Sequence, residues 1–246
     1  MIEADEPYWR FRTVLRAIAV GVSALFVGLV VMIVLQSLLA GLGVAITGHP
    51  GRVALLSSVS LQGVAFIGTS LAYLSLLDRF SLLNLQRPSW RTIKEILAGF
   101  LLVVLAWVAI SYLLEHILQI PTAESSFIQD VQQQPVLIWL FLGFQLIVGP
   151  SEELLFRGVV QGSMRRAMGP VSAIVLASLF FASIHYTSMN GSVVSVVGAL
   201  SVVFVLSLTL GALYELTENL IVPAVVHGLF NATQFLLAYL QATGQL

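Results

Sequence analysis

Residues 16–48 read RAIAVGVSALFVGLVVMIVLQSLLAGLGVAITG, and after Arg16 the run holds no Asp, Glu, Lys or Arg. A bilayer's hydrocarbon core is crossed by roughly 20 apolar helical residues, so this run is long enough to span it. It is apolar on every side rather than along one stripe, which suits a helix that meets lipid or the inside of a bundle. Arg10, Arg12 and Arg16 precede it. A cleavable leader carries only about 7–15 apolar residues before its cleavage site, so the run reads as a retained first span.

The same alternation of apolar runs and punctuation continues outward from this stretch. A first segment is expected over about 14–46, ended by the Gly48-His49-Pro50-Gly51 turn. A second covers about 53–77 and stops at Asp78-Arg79, and a third covers about 93–118. A polar stretch from Gln119 to Pro135 follows, with Glu124, Asp130 and Gln132 to Gln134. A fourth segment covers about 136–166, with an expected kink at Gly149-Pro150. Gly169-Pro170 turns the chain into a fifth over about 171–187, followed by a loop from Thr187 to Ser192. A sixth covers about 193–214 and a seventh about 220–241.

Composition agrees. The 246 residues are 58% hydrophobic and 9% charged, against roughly 25% charged in a soluble domain, so this chain cannot cover a water-facing surface. Barrel strands would alternate apolar and polar residues, and these segments do not. The expected fold is all-α, a polytopic transmembrane bundle of about seven to eight helices. It forms one integral membrane domain over 1–246, with a motif-bearing core at about 136–241. No basic cluster is dense enough to suggest nucleic acid. The absence of cysteine excludes disulfides, thiolate zinc sites and a Cys nucleophile.

Basic residues set an expected orientation. The N-terminal segment carries Arg10, Arg12 and Arg16. The second loop carries Arg79, Arg87, Arg91 and Lys94, and the fourth carries Arg165 and Arg166. By alternation these fall on one side, and the other side has Arg52 alone with Glu115, Glu124 and Asp130. The N-terminus is therefore expected in the cytoplasm of a prokaryotic plasma membrane, with Tyr8, Trp9, Phe11 and Trp90 at the headgroups.

An ionisable group within the hydrocarbon costs at least a few kcal/mol and marks function by default. Those expected there are Glu152, Glu153 and Arg157 in the fourth segment, His185 in the fifth, and His227 in the seventh, with Asn231 one turn further. Glu152 lies 13 residues before Arg165 and His185 lies 15 after Pro170. At about 1.5 Å per residue these are depths of about 20 and 22 Å. From Thr217, His227 is about 15 Å deep and Asn231 about 21 Å. Three helices thus offer polar groups to one layer. Glu153 and Arg157 are four apart and can pair on one face, with Glu152 turned about 100° away. Phe181 and His185 share a face, as do His227 and Asn231. Each feature alone suits structure as well as function: an ion pair, a satisfied histidine, or interhelical hydrogen bonds. A second carboxylate beside the first is too costly to serve only as glue. His49 and His116 lie near loops and are given no role.

Glu152-Glu153-Leu-Leu-Phe-Arg157 resembles the EExxxR motif of the CPBP family, the CAAX proteases and bacteriocin-processing membrane proteins also called the ABI family. Phe181-Ala-Ser-Ile-His185 resembles its FxxxH motif, and His227-Gly-Leu-Phe-Asn231 its HxxxN motif. All three stand in the family's order, and the chain is similar to type II CAAX prenyl endopeptidases. The resemblance implies a glutamate-dependent intramembrane endopeptidase acting on a peptide or lipidated, CAAX-like protein substrate at the lipid. Glu152, helped by His185, would activate a water. His227 and Asn231 would stabilise the oxyanion, and Glu153 and Arg157 would hold Glu152 in place. No cofactor is expected. The alternative is zinc on Glu152, His185 and His227, although no HExxH is present. Ser151 and Ser183 adjoin the motifs, but no Gly-x-Ser-x-Gly elbow exists. Two further classes stay open: a proton-coupled transporter, which would spread polar groups along a path through the bilayer, and an immunity or scaffold protein. Helices 1–3 are expected to contribute almost nothing to the site, and the cavity is expected to open toward the cytoplasmic side, where the basic loops lie and Arg165 and Arg166 end the fourth segment.

Overall fold

The computed structural model describes residues 8–133 and 138–246. The start of the fourth segment at about 136, and Gln134 and Pro135 of the polar stretch, lie outside them. The long helices are α1 (Trp9–Gly41), α2 (Gly51–Leu76) and α3 (Trp90–Ile117). A short α4 (Ser126–Gln133) follows, then α5 (138–168), α6 (Pro170–Ile184), α7 (Val193–Thr217) and α8 (Ile221–Ala242). Six of the described helices are long and apolar enough to cross a membrane. With α5, they are the seven expected segments.

Local chemistry fixes the ends. Helix α1 stops earlier than expected because Gly43 takes φ 77°, the left-handed geometry that terminates helices. Ser89 caps α3 through a reciprocal box with Thr92. The polar stretch is not all loop. Besides α4, Glu124–Ser125 pairs antiparallel with Met189–Asn190. In α5, Pro150 lies within the helix. The departure from α geometry described there is a π-helical stretch at Leu154–Gln161, just beyond the two glutamates.

Packing separates lipid-facing from inward surfaces. Helix α1 buries Ala17, Gly21, Ala24 and Gly28 at spacings of three and four residues, while Phe26, Leu29 and Ile33 are exposed. So much exposed apolar surface is stable only against hydrocarbon, and the protein is an integral membrane protein. The tightest crossing joins α5 to α8. A Cβ on Gly149 would lie 2.6 Å from the Gly228 nitrogen, and one on Gly228 would lie 2.7 Å from the Gln145 carbonyl oxygen. Only glycine permits this approach, in the manner of small-residue contacts between membrane helices.

The bundle has two unlike ends. At the basic end, the Arg166 guanidinium donates to Ser81 Oγ (3.0 Å) and Arg165 pairs with Glu215 (2.9 Å). Gln161 donates to the Gly211 carbonyl and to Glu215. The Leu220 amide donates to the Asn84 carbonyl (2.7 Å), and Tyr214 Oη donates to the Leu82 carbonyl. At the other end lie the α1–α2 turn, α4 and the paired strands. There Asn190 donates to Gln129 and Thr122 to Glu115. This is the alternation of loops expected from the sequence.

Candidate active site

The α5–α8 crossing sets Glu153 against His227. His227 Nδ1 lies 2.9 Å from Glu153 Oε1, and since a carboxylate only accepts, Nδ1 carries the proton. Glu153 Oε2 is 3.0 Å from Arg157 Nε within the expected i, i+4 pair. Arg157 is fully buried. Its guanidinium donates to Ser207 Oγ (2.9 Å) and to the Ser207 carbonyl (3.2 Å), which ties α5 to α7. It also lies 5.3 Å from the centre of the Phe181 ring. A buried charge is tolerated when paired and hydrogen-bonded, and this one is both.

Glu152, 6% exposed, faces another way. Its Oε2 lies 3.7 Å from His227 Nε2, too long for a direct hydrogen bond, and its Oε1 accepts from Gln62 Nε2 at 3.3 Å. One imidazole thus stands between two carboxylates, bonded to Glu153 and turned toward Glu152. Phe181 organises the other side. Its ring is 4.7 Å from that of His185 and 5.8 Å from that of His227, centre to centre. His185 Nδ1 lies 2.8 Å from the Phe181 carbonyl. The carbonyl can only accept, so the neutral ring keeps an unprotonated Nε2.

Glu152, His185, His227 and Asn231 line one cavity of about 1420 Å³, together with Gln62 and Phe181. Glu153 and Arg157 lie behind its wall. These four side chains, carried by separate elements, therefore border one space. Three expectations are corrected. Glu153 does not brace Glu152; it bonds His227, because the crossing brings α8 to that carboxylate. The second helix does contribute, through Gln62 in a π-helical stretch at Val59–Phe66. Its sequence signal is the cluster Ser57, Ser58, Ser60 and Gln62 in a largely apolar helix, which a search restricted to ionisable groups passes over.

The third correction concerns access. An opening toward the basic loops is expected from the ends of α5, but none of residues 79–94 or 165–170 lines the cavity. Its wall instead includes His49, Glu115, Thr122, Glu124, Thr187 and Gln241, all at the opposite end. The hydrogen bonds of Gln161, Arg165 and Tyr214 fill the basic end. As for zinc, no three His, Cys, Asp or Glu side chains among the described residues are gathered into a set that could hold an ion. His227 Nδ1 is engaged by Glu153, and its Nε2 faces the cavity.

Residues 134–233 match the model of the family described as type II CAAX prenyl endopeptidase Rce1-like. That span holds all three motifs, so the resemblance to the CAAX protease family extends over the whole region from α5 into α8. The chain is also 32% identical over 87 residues to the uncharacterized protein YpbD of Bacillus subtilis (strain 168). That match covers 35% of this chain and 39% of that protein, well under half of its length. No solved structure matches the chain.

Proposed function

We propose that the protein is an intramembrane endopeptidase that hydrolyses a peptide bond of a membrane-associated or lipidated polypeptide, with a water activated by Glu152. The observation that carries this is the meeting of Glu152 on α5, His185 in the turn that ends α6, and His227 and Asn231 on α8, on one cavity. Glu152 takes a proton from water. The hydroxide attacks the scissile carbonyl, and the carbonyl π electrons move onto its oxygen. The Asn231 amide and, in the doubly protonated ring, His227 Nε2–H donate to that oxyanion. Glu152 then passes its proton to the leaving amine as the C–N bond breaks. Oxyanion donors of this kind are worth roughly 3–4 kcal/mol each.

The surrounding groups support these roles. Glu153 holds His227 by Nδ1 and keeps Nε2 directed at the cavity. An imidazolium there brings the cluster of two carboxylates and one guanidinium to zero net charge, which suits a buried site. Gln62 positions Glu152, and His185 Nε2 offers a second acceptor for the water's proton. A proton relay fits less well, since the cavity does not continue through the basic end.

The test is cleavage of membrane-anchored reporter peptides, some lipidated, by protein in proteoliposomes. Cleavage is expected from the wild type, retained under a strong chelator, and absent from Glu152→Gln. Full activity of purified Glu152→Gln overturns the general-base assignment. One zinc per chain by elemental analysis, lost together with activity, replaces the mechanism with a metal-dependent one.

A further inference from the structure

Two independent observations bear on where substrate comes from. The first is the cavity wall, whose loop residues all belong to the end that carries His49, Glu115, Thr122 to Ser126, Tyr186 to Met189 and Gln241. The second is the distribution of Arg and Lys. Outside the buried Arg157, the opposite end holds Arg10, Arg12, Arg16, Arg79, Arg87, Arg91, Lys94, Arg165 and Arg166, and the cavity end holds Arg52 alone. The contacts of Arg166 with Ser81 and of Arg165 with Glu215 show that these loops do share one face of the folded bundle. Short loops rich in Lys and Arg stay in the cytoplasm.

We infer that the cavity opens on the extracytoplasmic side, and that its substrate is a polypeptide whose cleavage site reaches the membrane from that side. Such a substrate is an exported peptide or the outer end of a membrane-anchored segment. A lipidated tail on the cytoplasmic leaflet does not reach Glu152 through the packed basic end. The choice of substrate rests on the proposed endopeptidase activity. The direction of opening does not.

The chain has no cysteine, so single introduced thiols report accessibility directly. His49→Cys and Thr187→Cys place a thiol at the exposed cavity mouth, and Ser81→Cys places one on the exposed basic face. None of these positions belongs to the proposed catalytic set. Intact cells are treated with a membrane-impermeant maleimide, with and without permeabilisation. His49→Cys and Thr187→Cys are expected to label fully in intact cells, and Ser81→Cys only after permeabilisation. The reverse pattern, or equal labelling of all three in intact cells, overturns the orientation. Two mouth positions on different elements keep the test decisive if one variant fails to accumulate. In a second arm, proteoliposomes of determined orientation receive reporter peptide on one face at a time. Cleavage only from the mouth face is expected. Cleavage only from the basic face overturns the substrate assignment. The expected labelling with no cleavage from either face leaves the orientation standing and counts against the endopeptidase reading instead.

Discussion

The two ends of the bundle use similar residues to opposite effect. At the basic end, Gln161, Arg165 and Glu215 join helices α5 and α7, while Tyr214 and Leu220 bind the α2–α3 loop. Their contacts join the helices and leave little room. In the middle and toward the other end, Glu152, His185, His227 and Asn231 also come from several helices, but they surround a space. Polar groups in a membrane protein therefore signal function by what they leave unfilled as much as by their cost. Arg165 and Glu215 close a seam, while Glu152 and His227 face each other across 3.7 Å with room beside them.

That contrast can be broken most sharply at Glu152. Glu152→Gln should lower cleavage by about 10²–10⁴-fold, the contribution of a positioned general base, while its thermal unfolding in detergent stays near wild type. Comparable loss of folded protein would mean that the carboxylate serves packing.

Arg157→Ala should act on both properties, because it leaves Glu153 buried without its cation. About 3–5 kcal/mol of stability is the expected loss, read as a large drop in the unfolding midpoint and in monodisperse yield. Pairing Arg157→Met with Glu153→Gln should restore much of the stability but not the activity, since His227 then lacks its charged anchor. Restored activity in that double variant would remove Glu153 from the positioning of His227.

A smaller effect is expected at Gln62. Gln62→Ala removes one hydrogen bond to Glu152, worth about 1 kcal/mol, so kcat should fall by about fivefold with little change in KM or midpoint. An unchanged kcat would show that α2 only walls the cavity.

The smallest effect belongs to the closed end. Arg166 is exposed and bonds Ser81, and exposed polar contacts contribute about 0–1 kcal/mol. Arg166→Ala should leave cleavage unchanged and shift the midpoint by no more than a few degrees. A loss of activity there would mean that the two ends are coupled.

Most of the framework was legible in the sequence because hydropathy is a one-dimensional signal. The seven long helices fall close to their expected limits, and the depth calculation brought Glu152, His185, His227 and Asn231 to one layer. Glu153 and Arg157 were paired correctly by their spacing alone. The partner of Glu153 was not legible, because its bond to His227 depends on how closely α5 and α8 approach at Gly149 and Gly228. Gln62 was missed because an amide carries no charge to flag it. The side of the opening is not legible in the arginines that finish α5, because their side chains close that end and do not line the cavity. The start of the fourth segment falls outside the described residues.

The contact between Gly149 and Gly228 joins main chain to main chain, and no rotamer intervenes. The separation of Glu153 from His227 is then set by peptide geometry, the stiffest ruler a protein has. A membrane that thickens or thins asks helices to tilt, but two backbones in contact can only tilt together. Turnover should therefore stay nearly constant across phosphatidylcholines of 14 to 22 carbons, even where the lipids change how much protein inserts. Gly228→Leu, which cannot keep the crossing, should lose most of its turnover in every one of these lipids.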